Sequence, residues 1–287
     1  MKRNLFYVLT ATLLLSACGE KPVSLRMDLQ PGQEYEVSTA AEQTASMTIY
    51  NQEITYTQLI NLNHVFHVDS VLPDSQYLFT GYLKSVRMEV LPKSNKGLVQ
   101  GFIYNSEKAS ENKGSYVSFS YIFSKFLKKP YAVRVNNLGD VLMNTKTDVI
   151  RSIGIDTVAE SKDALEDDFT TLFAVLPQKP IRTGDSYERN YTSGTENHME
   201  WQNTYTVKEI NANEVIVDFK GTIKSKENKA GQATFSGDHS GTMQISRETG
   251  LVNSSSTSMA IQVKDDGGIN AAPKISGKVT YTCKKIK

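Results

Sequence analysis

Apolar and polar residues alternate with a period of two along most of the chain. The alternation, rich in Val, Ile, Thr and Tyr, covers Glu34 to Tyr50, Ile54 to Asp69, Tyr77 to Val90 and Tyr131 to Val135. It returns in Thr204 to Ile210, Val215 to Ile223, Thr234 to Ile245, Ser258 to Val263 and Lys278 to Cys283. Successive side chains of a strand point to opposite faces, so this pattern predicts β-strands that bury one face. Turn-forming residues separate the runs, as in Leu72-Pro73-Asp74-Ser75, Asn211-Ala212-Asn213 and Asp265-Asp266-Gly267-Gly268.

Two stretches change period. Ser115 to Lys129 places Phe119, Ile122, Phe123 and Phe126 on one helical face, with Lys125, Lys128 and Lys129 at its end and Pro130 as a stop. Lysines there suit the negative end of a helix dipole. The first half of this stretch also alternates like a strand, through Val117, Phe119, Tyr121 and Phe123. A second stretch opens at Ser161, a candidate N-cap. Leu165, Phe169, Leu172, Phe173 and Leu176 then recur at helical spacing, and Pro177 ends the run. Thr147 to Ile153 is a candidate short helix ahead of it.

The two halves of the chain echo one another. Leu29-Gln30-Pro31-Gly32-Gln33-Glu34-Tyr35-Glu36 parallels Ile181-Arg182-Thr183-Gly184-Asp185-Ser186-Tyr187-Glu188. Phe66 to Phe79 parallels Tyr205 to Val217, a hairpin in each case. Val133 to Leu142 parallels Met243 to Val252, each with a glycine where a tight turn needs positive φ. Three echoes in one order predict two copies of one β-meander. The expected fold class is mainly β (α+β). Two similar antiparallel β-meanders form curved sheets or half-barrels, with one or two helices covering them. The expected units are residues 25–155, a connecting helix at 156–180, and residues 181–287.

The N-terminus has a different character. Lys2 and Arg3 precede an apolar run of about ten residues from Leu5 to Leu15, too short for the roughly 18 to 20 that span a bilayer. Leu15-Ser16-Ala17-Cys18 then resembles the lipobox of bacterial lipoproteins. That resemblance implies that residues 1–17 are a signal peptide. It also implies a diacylglycerol on Cys18 and acylation of the new amine. Residues 18–24 would be a lipidated tether. Stable anchoring takes two acyl chains, each buried methylene contributing about 0.8 kcal/mol. Gly19-Glu20-Lys21-Pro22 carries no acidic run, which points to an outer-membrane lipoprotein facing the periplasm.

A wider resemblance rests on Leu176-Pro177-Gln178-Lys179-Pro180-Ile181-Arg182-Thr183-Gly184-Asp185-Ser186-Tyr187, Pro31-Gly32-Gln33-Glu34-Tyr35 and Asn137-Leu138-Gly139-Asp140-Val141. These runs are similar to motifs of a family of uncharacterised bacterial envelope lipoproteins. The family brings no activity with it. Its layout is similar to the half-barrels of lipoprotein carriers, in which a sheet wraps an apolar cavity.

Charge and reactive residues add little. Removing residues 1–17 takes away Lys2 and Arg3, so 32 basic side chains fall to 30 against 31 acidic ones, a net charge of −1. No basic field invites nucleic acid. With Cys18 lipidated, Cys283 is left without a partner in the chain and reads as a small buried strand residue. His64 and His67 sit at odd strand spacing, so they face apart and share no metal. His198, near Glu200, and His239 read as loop or strand residues. Glu166-Asp167-Asp168 and Asp265-Asp266 offer only fragments of a cation site, and no nucleophile or phosphate-loop motif occurs. Trp201 and the tyrosines suit a half-solvated sheet. Asp69-Ser70-Val71 and Asp156-Thr157-Val158 resemble O-glycosylation sites.

The sequence thus points to a protein with no catalytic residues, no metal and no cofactor. Its expected partners are a membrane, through the anchor, and an apolar small molecule or lipid. The alternatives are an accessory lipoprotein docking on another envelope protein, and a hydrolase with an unrecognised site. Labelled palmitate fed to cells is expected to enter the wild-type protein and to be absent from Cys18→Ala. Equal labelling of both would remove the anchor.

Overall fold

The structure is a computed structural model and describes residues 21–49, 52–94, 100–146, 173, 175–193, 199–225, 234–264 and 273–287. Cys18, the helix expected from Ser161 up to Leu172, Thr147 to Ile153, Glu166-Asp167-Asp168, Asp156-Thr157-Val158, His198 and Asp265-Asp266-Gly267-Gly268 lie outside the described residues.

The alternating runs form strands, most of them longer than their strongest β signals. They are β1 (Glu34–Ile49), β2 (Gln52–Leu72), β3 (Gln76–Pro92), β4 (Phe102–Asn105), β5 (Lys113–Gly114), β6 (Tyr131–Val135) and β7 (Val141–Asn144). The second half adds β8 (Ser186–Ser193), β9 (Met199–Ile210), β10 (Glu214–Ser225), β11 (Thr234–Ser246), β12 (Val252–Lys264) and β13 (Lys274–Lys285). All join one curved, open, antiparallel sheet in the order β5-β4-β3-β2-β1-β13-β12-β11-β10-β9-β8. β3 divides one edge between two partners. Tyr77 to Gly81 pair with β6, and Arg87 to Val90 pair with β4. β7 extends β6.

One α-helix stands among the described elements, α1 (Val117–Phe126). The helical period therefore prevails over the alternation in its first half. Aromatic stacking decides this. Phe119 lies on Phe102 with ring centroids 4.6 Å apart, Phe123 on Tyr104 at 5.7 Å, and Phe126 on Tyr131 at 6.5 Å. Only a helix presents these three residues together on one side. It ends before Pro130, which disfavours helical geometry in the residue ahead of it.

The sequence echoes carry matching hydrogen bonds. Gly32 N–H donates to the Val68 carbonyl at 2.8 Å, and Gly184 N–H to the Val207 carbonyl at 2.8 Å. Gln30 N–H donates to Gln33 Oε1 at 3.0 Å, and Arg182 N–H to Asp185 Oδ2 at 2.7 Å. Tyr35 stands opposite Phe66, as Tyr187 does opposite Tyr205. Tyr77 and Phe79 face Val135 and Val133, as Val215 and Val217 face Ile245 and Met243.

Two short segments outside the sheet hold its halves together. Val23, placed in the tether by the sequence, exchanges backbone hydrogen bonds with Ile181 at 2.8 and 2.9 Å. The chain then buries the alternate residues Leu25, Met27 and Leu29, each contributing about 1.5–3 kcal/mol. Met27 N–H donates to Asn137 of the β6–β7 turn at 2.9 Å. Its neighbour Asp28 donates to Thr249 of the β11–β12 turn at 3.1 Å. Arg26 reaches the carbonyls of Pro177 and Gln178 at 2.9 and 2.7 Å. Phe173, predicted as an inward residue, packs on Phe79 with centroids 5.3 Å apart.

The two turns touch these segments through glycine. Gly139 has φ +82 and Gly250 has φ +72. A Cβ on Gly139 would run into the Phe173 carbonyl, and one on Gly250 into that of Arg26. Gly184, at φ +89, has open space around it. Gly184→Ala therefore meets only the left-handed backbone cost of about 1–2 kcal/mol. Gly139→Ala adds a backbone collision and is expected to lose more than about 3 kcal/mol. Urea unfolding midpoints check this, and equal losses would contradict it.

Candidate functional site: the inner face of the sheet

Residues directly opposite in an antiparallel sheet share a face, so the register sorts every side chain. Near one end of the strands, Tyr191, Trp201, Ile223 and Gly237 stand in one row across β8 to β11. Ile261, Ile275, Ala45 and Tyr56 continue it across β12, β13, β1 and β2. The neighbouring row on the opposite face reads Thr192, Glu200, Lys224, Ser236, Gln262 and Lys274. One face is thus apolar and the other polar. The apolar face also carries the core residues, and we call it inner.

The inner face is filled unevenly. Towards the β6–β7 and β11–β12 turns it is closed core, with Val133, Val135, Val207, Val215, Val217 and Ile245 buried beneath Leu25, Met27, Leu29 and Phe173. Farther along the apolar pattern continues; Ala45, Ile54, Ile223 and Val263 are buried there too, whereas Tyr56, Ile60, Ile261, Ile275 and Val279 are only half-buried. Outer-face positions beside them, such as Ser258, Ala260, Ser276 and Lys278, are exposed.

A polar row crosses the inner face between two apolar ones. It runs Arg189, Asn203, Gly221, His239, Met259, Gly277, Gln43 and Gln58, Met259 being its one apolar side chain. Arg189 is 7% exposed and pairs with Asp140 of the β6–β7 turn. His239 Nε2 lies 2.6 Å from Asn203 Oδ1, beneath the edge of the Trp201 ring. With Oδ1 as acceptor, Nε2 carries a proton and donates it to Asn203. Burial lowers the His239 pKa, and Asp238 opposes that shift more weakly. Nearby, Tyr187 and Tyr205 stack with centroids 5.1 Å apart, and burial pushes both phenols above their usual range.

The other residues noted in the sequence fall elsewhere. His64 is buried, whereas His67 lies partly exposed beside Glu34 at 3.4 Å and Asp69 at 3.9 Å. Cys283 sits half-buried on β13, and burial pushes its thiol up to about 12. Ser70 of Asp69-Ser70-Val71 is paired opposite Leu78 within the sheet. Arg189 was not singled out by its sequence context, because only the fold brings Asp140 to it. Two grooves lie on the outer face. One of about 740 Å³ is bordered by Glu188, Thr204, Lys220, Ser240 and Ser258, and one of about 330 Å³ by Asn61, Asn63, Ser85 and Arg87. Among the described residues, no three His, Cys, Asp or Glu side chains could hold a metal ion, and no helix is long and apolar enough to cross a membrane.

A family of unknown function (DUF6263) matches residues 159–252. No curated protein sequence matches the chain. Among solved structures, lipovitellin, described for its lipid–protein interactions, is 10% identical with a TM-score of 0.49. The match covers 90% of this chain and 25% of that one, so the chain spans a quarter of lipovitellin's length. The COG4313 outer membrane channel from Pseudomonas putida F1 is 8% identical, with a TM-score of 0.28, covering 93% of this chain and all of that one. The translocator domain of autotransporter NalP from Neisseria meningitidis is 6% identical, with a TM-score of 0.36, covering 89% and 90%.

Burial of His239 makes stability depend on pH. The unfolded imidazole titrates near 6.5 and the folded one lower. As pH falls below about 6.5 the unfolded chain takes up the proton first, so stability is present above that pH and is lost beneath it. Between pH 7.5 and 5.5 the urea midpoint of the wild type is expected to fall further than that of His239→Phe. Parallel curves would contradict the assignment.

Proposed function

We propose that the protein is an envelope lipoprotein, anchored through acylated Cys18 on the periplasmic side of the outer membrane. We propose that its sheet binds an apolar ligand, a lipid or acyl chain, as a non-enzymatic carrier or binding module. The matched hydrogen bonds of the two halves support a build from two copies of one meander. In that reading the half-barrel forms when the copies share a seam between β1 and β13.

The observation that carries the ligand reading is the half-buried apolar surface of Tyr56, Ile60, Ile261, Ile275 and Val279 on the inner face. Large aliphatic side chains contribute fully only when removed from water, about 25 cal/mol per Å². Here Ile60, Ile261, Ile275 and Val279 point to the inner side and yet stay partly exposed to water. An acyl chain laid along this face would complete their burial without needing any charged group.

Protein purified without detergent is expected to yield solvent-extractable lipid beyond the acyl chains covalently held at Cys18. Ile60→Asp and Val279→Asp, at half-buried positions, are expected to keep the far-ultraviolet dichroism of the wild type and lose that lipid. A ligand present at about 100 times its Kd raises the unfolding free energy by about 2.7 kcal/mol, so re-addition should stabilise the wild type alone. Lipid-free wild type that gains no stability from added fatty acid or phospholipid would overturn the proposal.

A further inference from the structure

The helix α1 has two unlike sides. Phe119, Ile122, Phe123 and Phe126 hold it to the sheet. Its other side carries Val117 at 69% exposure and Tyr121 at 62%. These two exceed every other exposed large hydrophobic residue among the described residues, the rest lying between 42% and 45%. They are four residues apart, one above the other on the helix surface. Lys125 continues the stripe, with its Nζ 4.0 Å from the centre of the Tyr121 ring. From Lys113 to Lys129 the chain carries four lysines and no acid, although the molecule as a whole is nearly neutral. Lys113, Lys128 and Lys129 are exposed.

An exposed apolar pair on a helix whose C-terminal end carries lysines matches the chemistry of an anionic bilayer surface. Aliphatic and aromatic side chains enter the headgroup boundary, while lysines reach lipid phosphates. Each lysine near such a surface contributes about 1 kcal/mol. An acidic protein surface would pair with the lysines too, but would have no aliphatic interior for Val117 to enter. We propose that the outer side of α1 is a membrane-contact surface that docks on anionic phospholipid. It rests on the described residues alone and stands whether or not the sheet carries a lipid.

The test places a fluorescent reporter on the helix. Trp201→Phe removes the chain's one tryptophan, and Tyr121→Trp introduces another at the exposed site. This protein is mixed with vesicles of phosphatidylcholine alone, or of phosphatidylcholine with phosphatidylglycerol, each with and without bromine on the acyl chains. The expected result is a blue shift and bromine quenching with the anionic vesicles. Both should fall at least several-fold when Lys125, Lys128 and Lys129 are changed to Glu. Val117→Glu should weaken quenching in the same vesicles while leaving the dichroism unchanged. Unshifted, unquenched emission in anionic vesicles would overturn the proposal, and so would quenching that is equal in both lipid mixtures and insensitive to the lysine changes.

Discussion

The pairing of β1 with β13, Tyr35 opposite Lys285 through Ser46 opposite Lys274, is the constraint on which the rest of the sheet depends. From this seam the strands of the first half run one way and those of the second half the other. Without it, each half would expose a long edge of unpaired backbone groups. Bringing together residues some 240 positions apart costs about 5 kcal/mol in loop entropy. Backbone hydrogen bonds along the seam contribute about 1 kcal/mol each, and burial of Val37 and Tyr281 adds to them. So non-local a contact should form late in folding.

The seam alone would leave a wide sheet free to flex. The crossing segment from Val23 to Leu29 limits this by binding both far turns at once, Asn137 through Met27 and Thr249 through Asp28. The arrangement is reciprocal. Gly139, in the first half, receives the chain that leads into the second, and Gly250, in the second half, receives the chain that leads into the first. One end of the sheet is thereby closed as core. Along the central strands, the inner face keeps apolar side chains that are only half-buried. Closed core beneath the crossing segment and half-buried aliphatic side chains along the central strands are the physical basis of the carrier reading.

Most of the strands, their turns and the face each residue takes were legible because period-two alternation reports burial directly. Their full lengths were not. In β12 the run Ser254 to Ser258 alternates almost nothing in polarity, since the inner positions Ser255 and Thr257 are themselves hydroxylated. β4 and β5 are too short to carry a pattern. Leu25, Met27 and Leu29 do alternate, but a lone segment crossing two turns has no sheet neighbours to announce it, and the tether was drawn past Val23. α1 was legible from the spacing of Phe119, Phe123 and Phe126, whereas its outward Val117 and Tyr121 looked like part of a strand. The polar row of Arg189, Asn203 and His239 was hidden because its members are far apart in sequence and meet only through register.

The most direct measurement uses the single tryptophan, because Trp201 stands on the inner face in the row of Ile261, Ile275 and Tyr56. Stearic acid bearing a nitroxide on its chain is titrated into protein freed of extractable lipid, and Trp201 emission is followed. An acyl chain held on the inner face predicts saturable quenching that unlabelled stearic acid reverses. Quenching no greater than that of free tryptophan in the same solution would contradict the account.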